Sequence, residues 1–434
     1  MLRELPGILR LVVPIVIGLS ASTLLGVTDS LMLAPLGPVP LAAVGLTMAV
    51  AIVVYAAIYG LLTALGVRIG AAHGAHQRRR IPFILRNGLA LGLMAGLAGA
   101  AILAACWPLL PLLGQPAEVL MAMPAYYALI AALMVPFALL TVFKTAFEAV
   151  DRPWMGVAFA FVGVVVNIPL NYALIWGVGP IPALGLTGAG IGSLVAETLA
   201  LAAAWGWWRF GRATRRLRLR RRLDPAEIAA ATREGAPLGA LYVAETAAMA
   251  AGTAMVGTFG TIALAANQVM QSVGALLYML PLGVAGAVAL RVAQERGAGH
   301  AGALRPIVRA ALVVATGWLS MVMLVLVFAG RHIAAAITGD AAVVALAAQM
   351  FAVLAFLQVM DGVQSTMLGA LRGMQDTAWP AWVSMLAYWC IALPAGWIIA
   401  RHAGFGPAGV WAGFGIALAI AATALTLRFL RRSA

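Results

Sequence analysis

Charge is scarce in this sequence: 10% of its 434 residues are Asp, Glu, Lys or Arg, against 64% hydrophobic. A water-soluble domain carries roughly 25% charged residues, so the soluble globular class is excluded and a polytopic membrane protein is indicated. Cysteine is nearly absent. Cys106 and Cys390 both lie in or at the edge of apolar runs, which argues against a disulfide framework and gives thiol chemistry no support. Histidine is rare too, and His73, His76, His300, His332 and His402 are all expected in loops. With no H-E-x-x-H motif, an intramembrane metalloenzyme has no basis, and the chain reads as a non-enzyme without a cofactor. Acids are half as numerous as bases, 14 against 28, for a net charge of +14. Nucleic acid is not the implied partner, because the arginines fall between hydrophobic segments, where they set membrane topology.

What is abundant is apolar sequence in runs of 20 residues or more. Twelve are expected to span: 11–33, 43–67, 86–109, 121–143, 155–177, 187–208, 236–258, 263–290, 307–329, 341–370, 379–400 and 407–428. Each is near or above the length needed to cross a bilayer. With both termini inside, 26 of the 28 Lys and Arg fall on the inner side and only Arg331 and Arg401 on the outer. That satisfies the positive-inside rule and predicts a multi-pass protein of a bacterial-type inner membrane with cytoplasmic termini. Arg3, Arg10 and an apolar run to Ser20–Ala21 have the outline of a signal peptide. The apolar segment continues past any cleavage position, so a first span is the better reading.

One strongly polar break interrupts the chain. Eight arginines crowd between Arg209 and Arg222, preceded by Trp205, Trp207 and Trp208. Tryptophan before a basic cluster suits a membrane-surface connector beside anionic inner-leaflet lipids. On either side the sequence repeats itself. A shift of 223 carries Pro14 to Pro237, Gly37 to Gly260, Arg68 to Arg291 and Gly74 to Gly297. A shift of 225 carries Asp151, Trp154 and Pro169 to Asp376, Trp379 and Pro394, and one of 221 carries Gly185, Gly188 and Gly192 to Gly406, Gly409 and Gly413. The predicted fold is all-α, with twelve transmembrane helices in two six-helix bundles. Six helices per repeat keep both halves in one orientation, hence a pseudo-two-fold axis normal to the membrane. The expected division is an N-lobe over 1–205, a basic cytoplasmic linker over 206–236 and a C-lobe over 237–434.

Three acids sit inside these apolar runs: Asp29, Glu245 and Asp361. Insertion scales put a carboxylate there at about 2.5–3.5 kcal/mol. The repeat does not relate them to one another, since their shifted partners are Gly252, Ser22 and Pro136, which favours a functional origin. Glu245 lies 12 residues past Arg233 and Asp361 11 before Arg372. Both are then about 16–18 Å deep, whereas Asp29, 19 residues past Arg10, lies about 28 Å in, toward the outer face. Asn167 and Asn171, one helical turn apart on either side of Pro169, belong at the level of Asp29. Carboxylate, amide and carbonyl oxygens suit a hard cation, so Asp29, Asn167 and Asn171 form a candidate Na⁺ or H⁺ site, and Glu245 with Asp361 a second. Interhelical hydrogen bonding is the competing role for the two amides. Asn267, Gln271 and Tyr278 share one apolar helix and are candidates for a substrate cavity beside Glu245. Glu197 is a fourth buried acid with no assigned role. Repeat-related Asp151 and Asp376, with Arg152 and Arg372, suit capping and ion pairs at inner loops.

The segments P14-x14-DSLMLAPLG, VAETAAMAAGTAMVGTFGTIALAANQ and MDGVQSTMLGALRGMQDT resemble the multidrug and toxic compound extrusion (MATE) family, and within it the NorM-like branch. That branch carries acids in its first, seventh and tenth helices, where Asp29, Glu245 and Asp361 stand, and amides in the fifth, where Asn167 and Asn171 stand. One departure is Asn171, where some relatives place a second acid. The resemblance implies an antiporter, read here as a monomer, that expels small organic cations or amphipathic drugs in exchange for Na⁺ or H⁺. Competition between ion and drug for shared acids, with rocking of two lobes, suffices for antiport. A flippase for lipid-linked oligosaccharide is the alternative on this architecture, but its cavity should be lined by Arg or Lys. A passive channel fits the two-lobe repeat poorly.

Overall fold

The computed structural model describes residues 4–113, 115–180, 182–211 and 223–433, with only the backbone at 22–25, 27 and 113. Among the described residues, eleven helices are long and apolar enough to cross a membrane. The twelfth is α1, Leu5–Leu33, interrupted by Pro14. The others are α2 (Pro38–Gly74), α3 (Arg80–Cys106), α5 (Pro124–Ala149), α6 (Pro153–Trp176), α7 (Gly185–Phe210), α8 (Pro225–Gly257), α9 (Thr261–Gly297), α10 (Leu304–Ile337), α11 (Ala341–Gly373) and α14 (Gly406–Arg432). The eleventh span in chain order is composite: α12 (Ala378–Leu386), a π-helical turn over Ala387–Ala392 and α13 (Leu393–Arg401). The short α4, Ala117–Ala122, precedes α5.

The helices outrun the apolar segments that mark them. The seventh span, expected from 236, begins at Pro225. Asp224 ends the preceding loop, and its Oδ1 accepts from the Ala226 amide at 2.9 Å. Pro225 then stands first in the helix and Glu227 in its first turn, a strong N-terminal signal that hydropathy does not register. His73 and His332, expected in loops, lie within α2 and α10 for the same reason. Most of the arginine-rich run, Arg212–Arg222, lies outside the described residues.

The chain divides into two compact units, residues 17–239 and residues 1–16 with 240–434. By contacts the two units meet along the chain inside α1, after Val16, and inside α8, after Gly239. In the 17–239 unit, α5 packs against α2, α3, α6 and α7, burying Tyr126, Phe143 and Phe147. Small residues allow the close approaches; a Cβ on Gly96 of α3 would stand 2.7 Å from the Val135 Cα of α5. In the other unit α11 packs against α9, α10 and α14, around Phe351, Trp411 and Phe414.

Each unit carries the same device. In the 17–239 unit the first turns of α8 lie on α2: a Cβ on Gly60 would meet the Gly239 Cα at 2.7 Å, and Arg68 pairs with Glu227 at 2.7 Å and with Glu234. In the other unit the first turns of α1 lie on α9: Gly283 faces Val16, and Arg291 pairs with Glu4 at 3.3 Å. Gly60 and Gly283, Arg68 and Arg291, and Glu227 and Glu4 are all related by the 223-residue shift. The repeat therefore extends to the ion pairs. Pro14 and Pro237 precede the two joins by two residues, where each removes a helical hydrogen bond.

Candidate functional site

Three helices build the polar cluster of the 17–239 unit. Asp29 lies four residues from the end of α1, Asn167 and Asn171 lie on one face of α6, and Ser193 comes from α7. Asn171 Nδ2 donates to Asp29 Oδ1 at 2.5 Å and to Asn167 Oδ1 at 3.1 Å. Ser193 Oγ donates to Asp29 Oδ2 at 3.0 Å and accepts from Asn167 Nδ2 at 3.2 Å. The four side chains close a ring. Asn167 and Asn171 are buried and Asp29 is half-buried. Gly192 makes the approach possible, because a Cβ there would collide with Asn171 Oδ1. That oxygen is buried and has no hydrogen-bond partner among the described residues. Among the described residues Asp29 has no cationic partner; neutral donors alone reach it.

In the 1–16 and 240–434 unit, Glu245 of α8 lies close to the hydroxyls of Tyr278 of α9 and Tyr388 of the π turn. Asp361 of α11 is close enough to Glu245 for the two charges to repel each other. Ser365, one turn further along α11, donates to Asp361 Oδ1 at 3.3 Å. Asp361 is buried, and neither acid forms an ion pair among the described residues. Here again hydroxyl groups surround carboxylates.

The predicted residues are thus brought together in part. Asp29, Asn167 and Asn171 meet, as do Glu245, Asp361 and Tyr278. Asn267 and Gln271 hold helices together: Asn267 Oδ1 accepts from Trp411 Nε1 at 2.8 Å, and Gln271 Nε2 donates to Thr253 Oγ1 at 2.6 Å. Glu197 comes within electrostatic range of Lys144 and Tyr55. Asp376, in the loop between α11 and α12, pairs with Arg428 at 2.9 Å and Arg432 at 3.5 Å and so ties that loop to α14. Arg372, by contrast, is no loop residue: it is buried in the last turn of α11, close to Tyr242 and bonded to the Ala285 carbonyl at 3.3 Å.

Ser193, Tyr242 and Tyr388 were not legible as site residues. Ser193 is a lone hydroxyl in the small-residue run GLTGAGIGS, which reads only as helix packing. Tyr388 owes its place to the π turn. Pro394 has no N–H to donate back to the Cys390 carbonyl, and one residue wound into the wider turn shifts register at that point.

A membrane protein of two compact units, helical in nearly all its described residues and with intramembrane carboxylates that meet hydroxyls and amides but no cation among them, is built as a transporter. The MatE family model matches this chain twice, over 14–173 and 237–398, with the 223-residue offset of the repeat. A probable multidrug resistance protein NorM of Burkholderia pseudomallei is 33% identical over 441 residues, covering 98% of this chain and 92% of that one. One from Deinococcus radiodurans is 33% identical, covering 99% and 96%. Among solved structures, the eukaryotic MATE transporter AtDTX14 superposes with a TM-score of 0.88 at 21% identity, covering 100% of this chain and 98% of that one. A MATE in the bent conformation gives 0.91 at 19%, covering 98% and 95%. The chain belongs to the MatE family, and its likeness is to the NorM-like members.

Proposed function

We propose that this protein is a secondary active antiporter that exports cationic or amphipathic drugs in exchange for Na⁺ or H⁺. The observation that carries the reading is the state of Asp29, Glu245 and Asp361: three carboxylates within membrane spans, set among hydroxyls and amides and, among the described residues, none paired with a cation. An ionised carboxylate out of water is stabilised by an arriving cation, and a proton removes the charge altogether. Oxygen-rich surroundings can therefore exchange an organic cation for a coupling ion. In the Asp29 cluster, Asn167 Oδ1, Ser193 Oγ and Asn171 Oδ1, the last without a partner among the described residues, are hard donors of the kind Na⁺ takes. Glu245 and Asp361 repel each other, so a bound cation or a shared proton relieves both. In this reading Tyr278 and Tyr388 supply aromatic faces as well as hydroxyls for an organic cation. The relatives named as multidrug resistance proteins support the substrate class.

The same reading makes the chain a monomer of the bacterial inner membrane with cytoplasmic termini, its two lobes rocking to alternate access. Everted vesicles under an imposed Na⁺ gradient, then under an imposed pH gradient, test it by drug uptake. Uptake driven by one gradient and abolished by Asp29→Asn, Glu245→Gln or Asp361→Asn supports antiport. Uptake indifferent to both gradients and to all three substitutions refutes it.

A further inference from the structure

Trp389 stands in the middle of its span, 11 residues after Ala378 and 12 before Arg401, and its side chain is 46% exposed. Tryptophan that faces lipid collects at the two membrane interfaces, where its N–H reaches water. At mid-span the N–H has hydrocarbon around it and needs an acceptor from the protein. It has one: Nε1 donates to the Ala244 carbonyl of α8 at 3.1 Å.

That acceptor adjoins Glu245. Tyr388, 4% exposed, has its hydroxyl close to the Glu245 carboxylate, and Trp389 holds the carbonyl of the residue before it. Two consecutive side chains of the π turn thus grip two consecutive residues of α8, one from the interior of the bundle and one from its rim. Successive side chains of a regular α-helix diverge by about 100°, which would turn the second away from α8. The wider π turn narrows that angle. The grip falls where α8 needs it. Ala244 lies five residues past the point at which α8 enters this unit, after Gly239 and the broken helical bond at Pro237. Farther along, α8 is held again at Thr253, which accepts from Gln271 at 2.6 Å.

We propose that Trp389 is a positioning residue for Glu245: its hydrogen bond to the Ala244 carbonyl fixes α8 so that the carboxylate stays at Tyr388. This role presupposes that Glu245 binds the cation, as proposed above. The test compares Trp389→Phe, which keeps an apolar ring and loses the N–H, with Trp389→His, whose five-membered ring can place an N–H where the indole has one. Purified full-length protein is titrated with tetraphenylphosphonium. Trp389→Phe should raise Kd about fivefold, the net worth of one hydrogen bond, and Trp389→His less than about twofold. Trp382→Phe, which alters a 62% exposed indole on α12 of the same span, is the control and should leave Kd unchanged. In a Glu245→Gln background Trp389→Phe should add nothing further. Hydrogen exchange of the α8 amides over 242–250, read by mass spectrometry, should quicken in Trp389→Phe and recover in Trp389→His.

An unchanged Kd in Trp389→Phe overturns the proposal. So does an equal loss in Trp389→His, which would make the indole a packing residue, or a loss that persists beside Glu245→Gln. Absence of tetraphenylphosphonium binding by the unaltered protein would refute the cation-binding role of Glu245 instead. Hydrogen exchange then decides the rest, and exchange unchanged in Trp389→Phe would show that Trp389 does not fix α8.

Discussion

Arg68 holds Glu227 through two nitrogens, Nε at 3.1 Å and Nη2 at 2.7 Å. Its counterpart 223 residues on, Arg291, holds Glu4 through one, at 3.3 Å. Each pair fixes the first turns of a shared helix to the unit opposite the one its remainder joins. The two are unequal, however. Arg68 and Glu227 are 9% and 10% exposed, whereas Arg291 and Glu4 are 23% and 26% exposed.

Removing the two arginines should therefore differ in cost. Arg68→Ala leaves a nearly buried carboxylate without its guanidinium and should destabilise the protein by about 3 kcal/mol. Arg291→Ala breaks a half-exposed, longer pair and should cost about 1 kcal/mol or less. Thermal unfolding in one detergent checks this; equal midpoints for the two variants would contradict it.

Tyr278→Phe keeps the aromatic ring and deletes one hydroxyl close to Glu245. Drug efflux should fall while the amount of folded protein stays constant, and Tyr388→Phe should behave alike. Cellular drug accumulation measured against expression level decides it.

Gly192→Ala places a methyl group where Asn171 Oδ1 now lies, so the amide must leave Asp29. The expected result is loss of gradient-driven uptake, matching Asp29→Asn, with purified yield retained. Gly18→Ala, whose Cβ would meet Val157 at an ordinary 3.7 Å, is the control and should transport normally.

Asn267→Leu removes the acceptor of the buried Trp411 indole. An unsatisfied donor of this kind costs about 1–3 kcal/mol, which the thermal midpoint should show. Trp411→Phe in the same background removes the orphaned donor and should recover part of the loss.

Much of this was readable in one dimension. Apolar runs marked all twelve spans, and matched Pro, Arg, Trp and Asp marked the duplication. Asp29, Glu245 and Asp361 stood out because charge inside an apolar run is conspicuous whatever the fold. Asn167 and Asn171 could be joined to Asp29 by counting helical rise from the nearest arginine, and they do meet it. Asn267 and Gln271 showed the limit of that method: a polar residue at the right depth can face a neighbouring helix, as these do through Trp411 and Thr253.

By itself the sequence determined the class, the number of spans, the repeat and the acids, because hydropathy and charge are local quantities that sum along a chain. Only the tertiary structure decided the partners: Ser193 for Asp29, Tyr388 for Glu245, and a buried Arg372 turned to Tyr242. It also decided that α1 and α8 each belong to both units. Those outcomes depend on which faces meet between helices distant in sequence, and on a π turn that advances the register by one residue, neither of which leaves a mark in hydropathy.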